Sequence, residues 1–169
     1  MIPQTTNMAN LQGYTKMFAG NTTAVDSQKL HNLGTRSFDK NGNEYVYLLG
    51  VALTAPGSWV SFDEDHATIL AVANAVGRIA VAMAATVAAK YGWYQIYGVH
   101  ASAYVLTGFA DNGVIYLTGT GGSVDDADVA GDLIIGAMGR GAAGRSGAVT
   151  ACGATVELNY PFVNDAADN

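Results

Sequence analysis

The sequence predicts an all-β fold: a small β-barrel or sandwich of short strands and tight turns, with an extended N-terminal arm. Short runs of aromatic and β-branched residues alternate with turn signals at roughly ten-residue spacing. Glycine accounts for 21 of the 169 residues and proline for only 3, a composition that suits tight turns and close backbone contacts. Half of the chain is hydrophobic, so we expect a real core rather than disorder.

Three segments are predicted from composition and periodicity. Residues 1–33 form the arm, residues 34–163 the β domain and residues 164–169 a short tail that carries acidic side chains. The arm is rich in Asn, Thr and Gln and has no clear periodicity. It is either a loosely ordered terminus or a segment that orders on a neighbouring subunit.

A hairpin is the clearest local prediction. Asn41-Gly42 favours a turn with positive φ, and the β-favouring residues around it place strands at Arg36–Asp39 and Glu44–Leu49. Both faces of the second strand are apolar or aromatic, as in a strand covered on two sides. A turn at residues 55–58, a strand at Trp59–Phe62 and an acidic corner at residues 63–66 follow.

Residues 67–89 are ambiguous between helix and strand. Apolar side chains recur at helical spacing, yet residues 79–84 also alternate in size with the period of a strand. Alanine favours helix, whereas Gly77 interrupts one. The same run is the only candidate membrane span, but Arg78 near its centre costs about 2.5–3.5 kcal/mol on insertion scales, so we predict no span.

The second half of the chain alternates predicted strands and loops. A tight turn is predicted at residues 111–113, a long glycine-and-aspartate loop at 119–131 and a further loop at 139–147. Strands are predicted at residues 93–97, 101–106, 114–117, 133–138 and 148–158.

Charge and cysteine content exclude several classes of function. The net charge is −6, and the eight basic residues are scattered, so the basic footprint needed to bind nucleic acid is missing. An anionic membrane surface is disfavoured for the same reason. Cys152 is the single cysteine, so the fold needs no intrachain disulfide. The N-terminal residues do not read as a secretory signal peptide.

One glycine-rich motif resembles a nucleotide-binding loop. Residues 139–144 match G-x-G-x-x-G, but a strand-like segment follows where a dinucleotide site needs a helix. We therefore interpret this region as a loop in which Arg140 and Arg145 can pair with acidic groups on a neighbour.

Titratable residues form no recognisable catalytic or metal motif. Asp125, Asp126, Asp128 and Asp132 could hold Ca²⁺, but they lack the spacing of an EF-hand, and a solvated acidic loop is the favoured interpretation. The histidines at 31, 66 and 100 share no metal-ligand spacing. Cys152 is expected to act as a small hydrophobe. We predict no enzyme activity, no catalytic residue, no cofactor and no metal ligand, and ion binding by the acidic loop stays open.

Aromatic side chains are the candidate functional residues. Tyrosine and tryptophan supply contact area together with a hydrogen-bonding group, so they are common in cores and subunit interfaces. A sugar-binding platform is the alternative. The five aromatics among the predicted interface residues are expected in either the core or a subunit interface. The predicted interface residues are Tyr45, Tyr47, Trp93, Tyr94, Tyr97, Arg140 and Arg145.

Several segments, taken in order, resemble small head proteins of tailed bacteriophages. They are Leu33-Gly34-Thr35-Arg36, Gly42–Tyr47, Val76–Ala82, Tyr91–Gly98 and the terminal Val156–Phe162, and they occur in this order along the chain. Each segment alone is compositional, and the resemblance lies in their order. One departure is an N-terminal stretch longer than a minimal decoration protein of the lambda type needs.

The resemblance implies a decoration, or cement, protein on the exterior of an icosahedral capsid. Such proteins are mostly β, are often homotrimers, bind the major capsid protein and have no catalytic residues. It implies a protein made in the host cytoplasm that ends in the virion, with residues 76–98 folded as strand–turn–strand and residues 1–33 contacting the shell.

Two other functions remain open from the sequence. The first is a carbohydrate- or Ca²⁺-binding surface module, such as a head-fibre or tail component. The second is an enzyme on a small β-barrel, which would need a pocket where His66 or His100 meets Cys152 or a carboxylate.

Overall fold

A computed structural model describes residues 21–142 and 152–164 of the chain. Within these ranges it has no helix, and about 48% of the residues lie in strands of one large mixed sheet. The predicted all-β class is therefore confirmed. These described ranges also contain no helix that is long and apolar enough to cross a membrane.

Eleven strands occur in the described ranges. Their bounds are β1 Val25–Asp26, β2 Arg36–Phe38, β3 Glu44–Leu49, β4 Trp59–Phe62, β5 Thr68–Leu70, β6 Gly77–Ala82, β7 Tyr91–Val105, β8 Val114–Leu117, β9 Val124–Asp125, β10 Leu133–Gly139 and β11 Cys152–Val163.

The sheet is organised around β7. The main path runs β2-β3-β7-β9-β8-β10-β11-β6-β4-β5, and β7 also pairs with β1, β6 and β11. The pairing of β7 with β9 is parallel, and the other pairings between these strands are antiparallel. Because β7 continues past the end of β3 to pair with β11, it links the two halves of the sheet.

The predicted first hairpin is confirmed. Strands β2 and β3 pair from Arg36↔Val46 to Phe38↔Glu44, and Gly42 has a φ of +86° in the turn. The Asp39 carboxylate accepts the amides of Asn41 and Asn43 at 2.8 and 3.0 Å. These bonds satisfy backbone donors that the tight turn leaves without strand partners.

The ambiguous stretch at residues 67–89 forms strands. It holds β5 and β6, so the helical alternative is wrong, and the strand–turn–strand arrangement expected over residues 76–98 is present. Ile79 and Val81 enter one hydrophobic cluster, whereas Ala80 and Ala82 enter another on the opposite face. The small alanines fit a strand covered on both sides, where large side chains on each face would not fit.

Two of the predicted strands are one strand. Residues 93–97 and 101–105 belong to β7, which ends one residue before the predicted bound at Leu106. Gly98 has a φ of +93° and lets the strand continue without losing its partners. A Cβ at Gly98 would collide with the Asn43 side chain, so the bend brings the strand close to the first hairpin. The glycine loop at 119–131 contains β9.

The last strand extends beyond its predicted end. It continues from Cys152 to Val163 instead of stopping at residue 158, and the predicted residues 148–151 lie outside the described part of the chain. Its later half pairs with β10 and β6 through Phe162. The extension matters because it places Tyr160 and Phe162 on the sheet.

Strands β4 and β6 separate the two largest hydrophobic clusters. On one face, Trp59, Ile79 and Val81 pack with residues of β7, β8, β10 and β11. On the other face, Val60 and Phe62 pack with Val46, Leu48, Tyr94 and Ile96 of β3 and β7. The buried Trp59 indole donates to the Tyr104 carbonyl at 3.0 Å.

A third cluster lies between β3–β7 and the segment before β2. It consists of Tyr45, Tyr47 and Trp93. The Tyr47 hydroxyl donates to the Asp26 carboxylate at 2.6 Å, and the His31 ring lies edge-on to Tyr47 with centroids 5.0 Å apart. Burial and the bond to Asp26 raise the pKa of Tyr47 to about 12. Residues 25–31 are thus packed on the β domain, and the predicted arm boundary at residue 33 stays a prediction.

Removing a buried isoleucine from β6 should destabilise the fold far more than removing an exposed one from β5. Ile79 is 1% exposed and Ile69 is 59% exposed. Ile79→Ala should lower the free energy of unfolding by about 2–5 kcal/mol through lost burial and a cavity. Ile69→Ala should change it by less than about 0.5 kcal/mol. Urea denaturation measures both, and equal losses would contradict the core assignment.

Candidate functional site

An apolar surface covers the solvent side of the sheet formed by β7, β8, β10 and β11. We call it the outer face, and it comprises Tyr97, Val99, Val114, Ile135, Met138, Tyr160 and Phe162, each 37–54% exposed. Strand register pairs Met138 with Val114 and Ile135 with Phe162, whereas the exposed Glu157 lies between Met138 and Val99. Contiguous exposed apolar area of this kind marks an interaction site more often than isolated exposed side chains do.

A buried carboxylate supports one end of the outer face. Glu44 is 3% exposed, and it accepts hydrogen bonds from Arg36 at 2.9 Å and from the Tyr160 hydroxyl at 2.7 Å. The bond to Glu44, and then burial, raise the pKa of Tyr160. The Arg36 guanidinium also lies 5.5 Å from the Tyr160 ring centroid. Tyr160 is therefore held rigidly although its ring is partly exposed.

Tyr160 adopts a backbone conformation that is rare for a bulky residue. Its φ is +49°, and β11 has an irregular register opposite Ile135 and Ala137. The irregularity directs the Tyr160 ring against Tyr97, with centroids 5.3 Å apart. Such strain persists only where the surroundings over-determine it, and it concentrates at functional positions.

A groove of about 550 Å³ lies next to the outer face, at the ends of β4, β6 and β11. We call it the end groove, and its lining includes Asp63, Glu64, Ile69, Val76, Arg78 and Phe162. Phe162 belongs to both surfaces and pairs in register with Arg78. Ile69 and Val76 are 59% and 62% exposed, so apolar area continues from the outer face into this groove.

Four of the five predicted interface aromatics are buried in the chain's own core. Tyr45, Tyr47, Trp93 and Tyr94 are at most 5% exposed, because β3 and β7 have packed residues on both faces. Tyr97 is 41% exposed and lies on the outer face. Of this group, Tyr97 alone offers much side-chain area to a partner.

Of the two predicted interface arginines, only Arg140 lies in the described part of the chain. Arg140 is exposed, and its guanidinium bonds Glu157 at 2.6 Å beside the outer face. Arg145 lies outside the described residues, as does the end of the G-x-G-x-x-G motif. The Arg140 partner is thus in its own chain.

The acidic loop is tied to the protein by hydrogen bonds. Asp132 is 3% exposed and accepts the Asn74 amide at 2.6 Å, while Asp126 accepts the Ala110 amide at 3.1 Å. Burial is the main cause that raises the pKa of Asp125. Within residues 21–142 and 152–164, no group of three or more His, Cys, Asp or Glu side chains is placed to share a metal ion.

The three histidines lie in different surroundings. His31 packs on Tyr47 and Trp93, and His66 stacks on Phe62 with centroids 6.3 Å apart. His100 is 9% exposed, and its Nε2 has no hydrogen-bond partner. Burial lowers the pKa of His100 to about 4.

Sequence reasoning did not assign the exposed residues that define these surfaces. Arg78, Tyr160 and Phe162 lie in segments quoted for the resemblance, but none was assigned a role. The available signal was the apolar pattern of residues 156–162, which places two aromatic rings at the end of a strand. Their exposure depends on the register of β11 against β10 and β6, which the local sequence does not encode.

Comparisons with known proteins give no further information on the site. No protein-family model matches the chain, and searches of curated proteins and of solved structures find no match.

Neutralising Glu44 should destabilise the protein more than neutralising Glu157. Glu44→Gln removes a buried charge that pairs with Arg36 and Tyr160, and it should lower the free energy of unfolding by about 1–3 kcal/mol. Glu157→Gln breaks an ion pair whose side chains are 42% and 47% exposed, so it should cost less than about 1 kcal/mol. Urea denaturation of both variants compares them. Equal small losses would show that Glu44 does not support Tyr160.

Acid should weaken the fold through His100. In the unfolded chain this imidazole titrates near its usual pKa of about 6.5, whereas burial lowers the folded value to about 4. Titration of His100 therefore leaves the free energy of unfolding unchanged above pH 6.5. As the pH drops from 6.5 toward 4, it lowers that free energy by about 3 kcal/mol in total. His100→Leu should flatten the dependence of unfolding free energy on pH between 6.5 and 4.5. An unchanged slope in that variant would contradict the prediction.

Proposed function

We propose that this chain is a non-enzymatic structural protein of a phage virion, which binds the outside of the capsid lattice and stabilises it. Its partners are the major capsid protein and further copies of itself, as a homotrimer. The order of segments that resemble phage head proteins is the basis in the sequence. These segments include or adjoin β2, β3, β6, β7 and β11.

The outer face is the observation that carries the proposal. Its seven exposed apolar side chains lie on four neighbouring strands, on a chain with only 13% charged residues. Glu157 lies between Met138 and Val99 in the register, and its ion pair with Arg140 carries no net charge. A surface with exposed apolar side chains and little net charge suits contact with another protein.

Repetition on a lattice makes modest contacts sufficient. Apolar burial contributes about 25 cal/mol per Å² before the costs of association. Linked copies engage neighbouring sites at high effective concentration, which strengthens binding without new contacts. The acidic net charge of −6 disfavours DNA and favours solubility at the exterior of a particle.

A new charge on the outer face should weaken capsid binding. Val99→Asp places a carboxylate in an apolar contact and should weaken co-sedimentation with shells that lack this protein by at least tenfold. Leu53→Asp is the matched control, because Leu53 is 84% exposed in a loop away from the outer face. We expect the control to bind like the unmodified protein.

Two results would contradict this account in different ways. If the unmodified protein does not co-sediment with the shells, the capsid function is wrong. If it does and both variants bind equally well, the function stands but the outer face is not the contact.

A carbohydrate-binding surface module is the second candidate function. The exposed Tyr97–Tyr160 pair, with the Arg36 guanidinium beside the Tyr160 ring, supplies aromatic faces and a polar group of the kind that bind sugar rings. A glycan array probed with the unmodified protein and with Tyr97→Ala tests it. Tyrosine-dependent binding of one glycan class would favour this function, and no binding would remove it.

A further inference from the structure

We infer that the end groove is a contact surface between copies of this chain. The inference rests on the self-association included in the proposed function, and it assigns that association to particular residues. The groove combines exposed apolar side chains with a cation and an anion that form no ion pair with other described residues. Two copies can therefore pair these opposite charges across a shared contact.

The apolar part of the groove is large for an unpartnered surface. Val76 and Ile69 are among the most exposed hydrophobic residues described, at 62% and 59%, and Phe162 is 41% exposed. Val76 immediately precedes β6, Ile69 is in the edge strand β5 and Phe162 is near the end of β11. The groove is thus an apolar concavity bounded by three separate elements.

Arg78 is a positioned cation that forms no ion pair with any carboxylate in residues 21–142 and 152–164. Its guanidinium lies 5.3 Å from the centroid of the Phe62 ring, which restrains it at the groove. The ion pairs between described residues are Arg36–Glu44 and Arg140–Glu157, so neither involves Arg78. An arginine next to aromatic rings and apolar side chains is a typical hot spot of a protein interface.

Glu64 is the complementary anion of the same groove. It is exposed, lines the groove with Arg78 and belongs to no ion pair in the described ranges. The neighbouring Asp63 carboxylate instead accepts the Ala67 amide of its own turn at 2.9 Å. Glu64 therefore has the freer carboxylate to meet Arg78 of a second copy.

Pairing of Arg78 with Glu64 between copies is compatible with both a two-fold dimer and a cyclic ring. In a two-fold contact, Arg78 of each copy meets Glu64 of the other, and in a ring each junction contains one such pair. Reversing both charges in one chain preserves the pair under either arrangement. Reversing one charge opposes like charges at each contact, which costs association.

Charge reversal combined with light scattering tests the inference. We expect the unmodified protein to associate into multiples of 17.5 kDa. Arg78→Glu and Glu64→Arg should each raise the dissociation constant at least tenfold, and the double variant should recover to within about threefold of the original value. Val76→Asp, an uncharged-to-charged change in the same groove, should also weaken association. Arg140→Glu is the matched control on the outer face, and it should leave the mass unchanged.

Each outcome separates the two proposals. If the unmodified protein associates and the groove variants associate equally well, the groove is not the contact, whereas the capsid function is untouched. If the unmodified protein stays a monomer at all concentrations, self-association in solution and this inference are both wrong, and co-sedimentation with shells still decides the capsid function. Circular dichroism of each variant checks that it is folded. Should Arg78→Glu fail to fold, Glu64→Arg and Val76→Asp give the same test.

Discussion

The bend in β7 at Gly98 is the constraint on which the rest of the structure depends. The first part of the strand pairs with β1, β3 and β6, and the part from Tyr97 onward pairs with β9 and β11. The φ of +93° at Gly98 favours glycine, and a residue with a Cβ at this position would collide with Asn43. Continuous pairing along 15 residues joins the aromatic cluster of the first hairpin to the large core beneath β10 and β11.

The strands differ in how many of their faces are covered by the three hydrophobic clusters, and this difference decides which apolar side chains are exposed. Strands β3, β4 and β6 are covered on both faces, so most of their large side chains are buried. Strands β8, β10 and β11 are packed on one face only, yet their solvent side still carries valine, isoleucine, methionine and phenylalanine. A free antiparallel sheet normally alternates apolar with polar residues. The outer face departs from that alternation, and the structure offers no internal reason for it, which is why we interpret it as a contact surface.

Local chemistry predicted much of the fold. The Asn41-Gly42 turn and its flanking residues defined the first hairpin, and the two-sided apolar pattern of residues 44–49 correctly indicated a strand covered on both faces. The helix–strand ambiguity at residues 67–89 could not be removed locally, because Ile79 and Val81 fit both periods and only their partners in two separate clusters decide between them. The sequence predicted two strands where β7 is one, because a glycine such as Gly98 within a strand usually indicates an interruption. The exposed positions of Tyr160 and Phe162 depend on long-range register, and no local pattern predicts them.

The most direct test of the central claim is hydroxyl-radical footprinting of the protein, free and bound to capsid shells. Side-chain oxidation of Tyr97, Met138, Tyr160 and Phe162 should fall several-fold on binding, because these rings and the thioether would be covered. Oxidation of Leu30 and Leu53, which are exposed elsewhere at 65% and 84%, should not change. Protection of the two leucines with no change on the outer face would contradict the account.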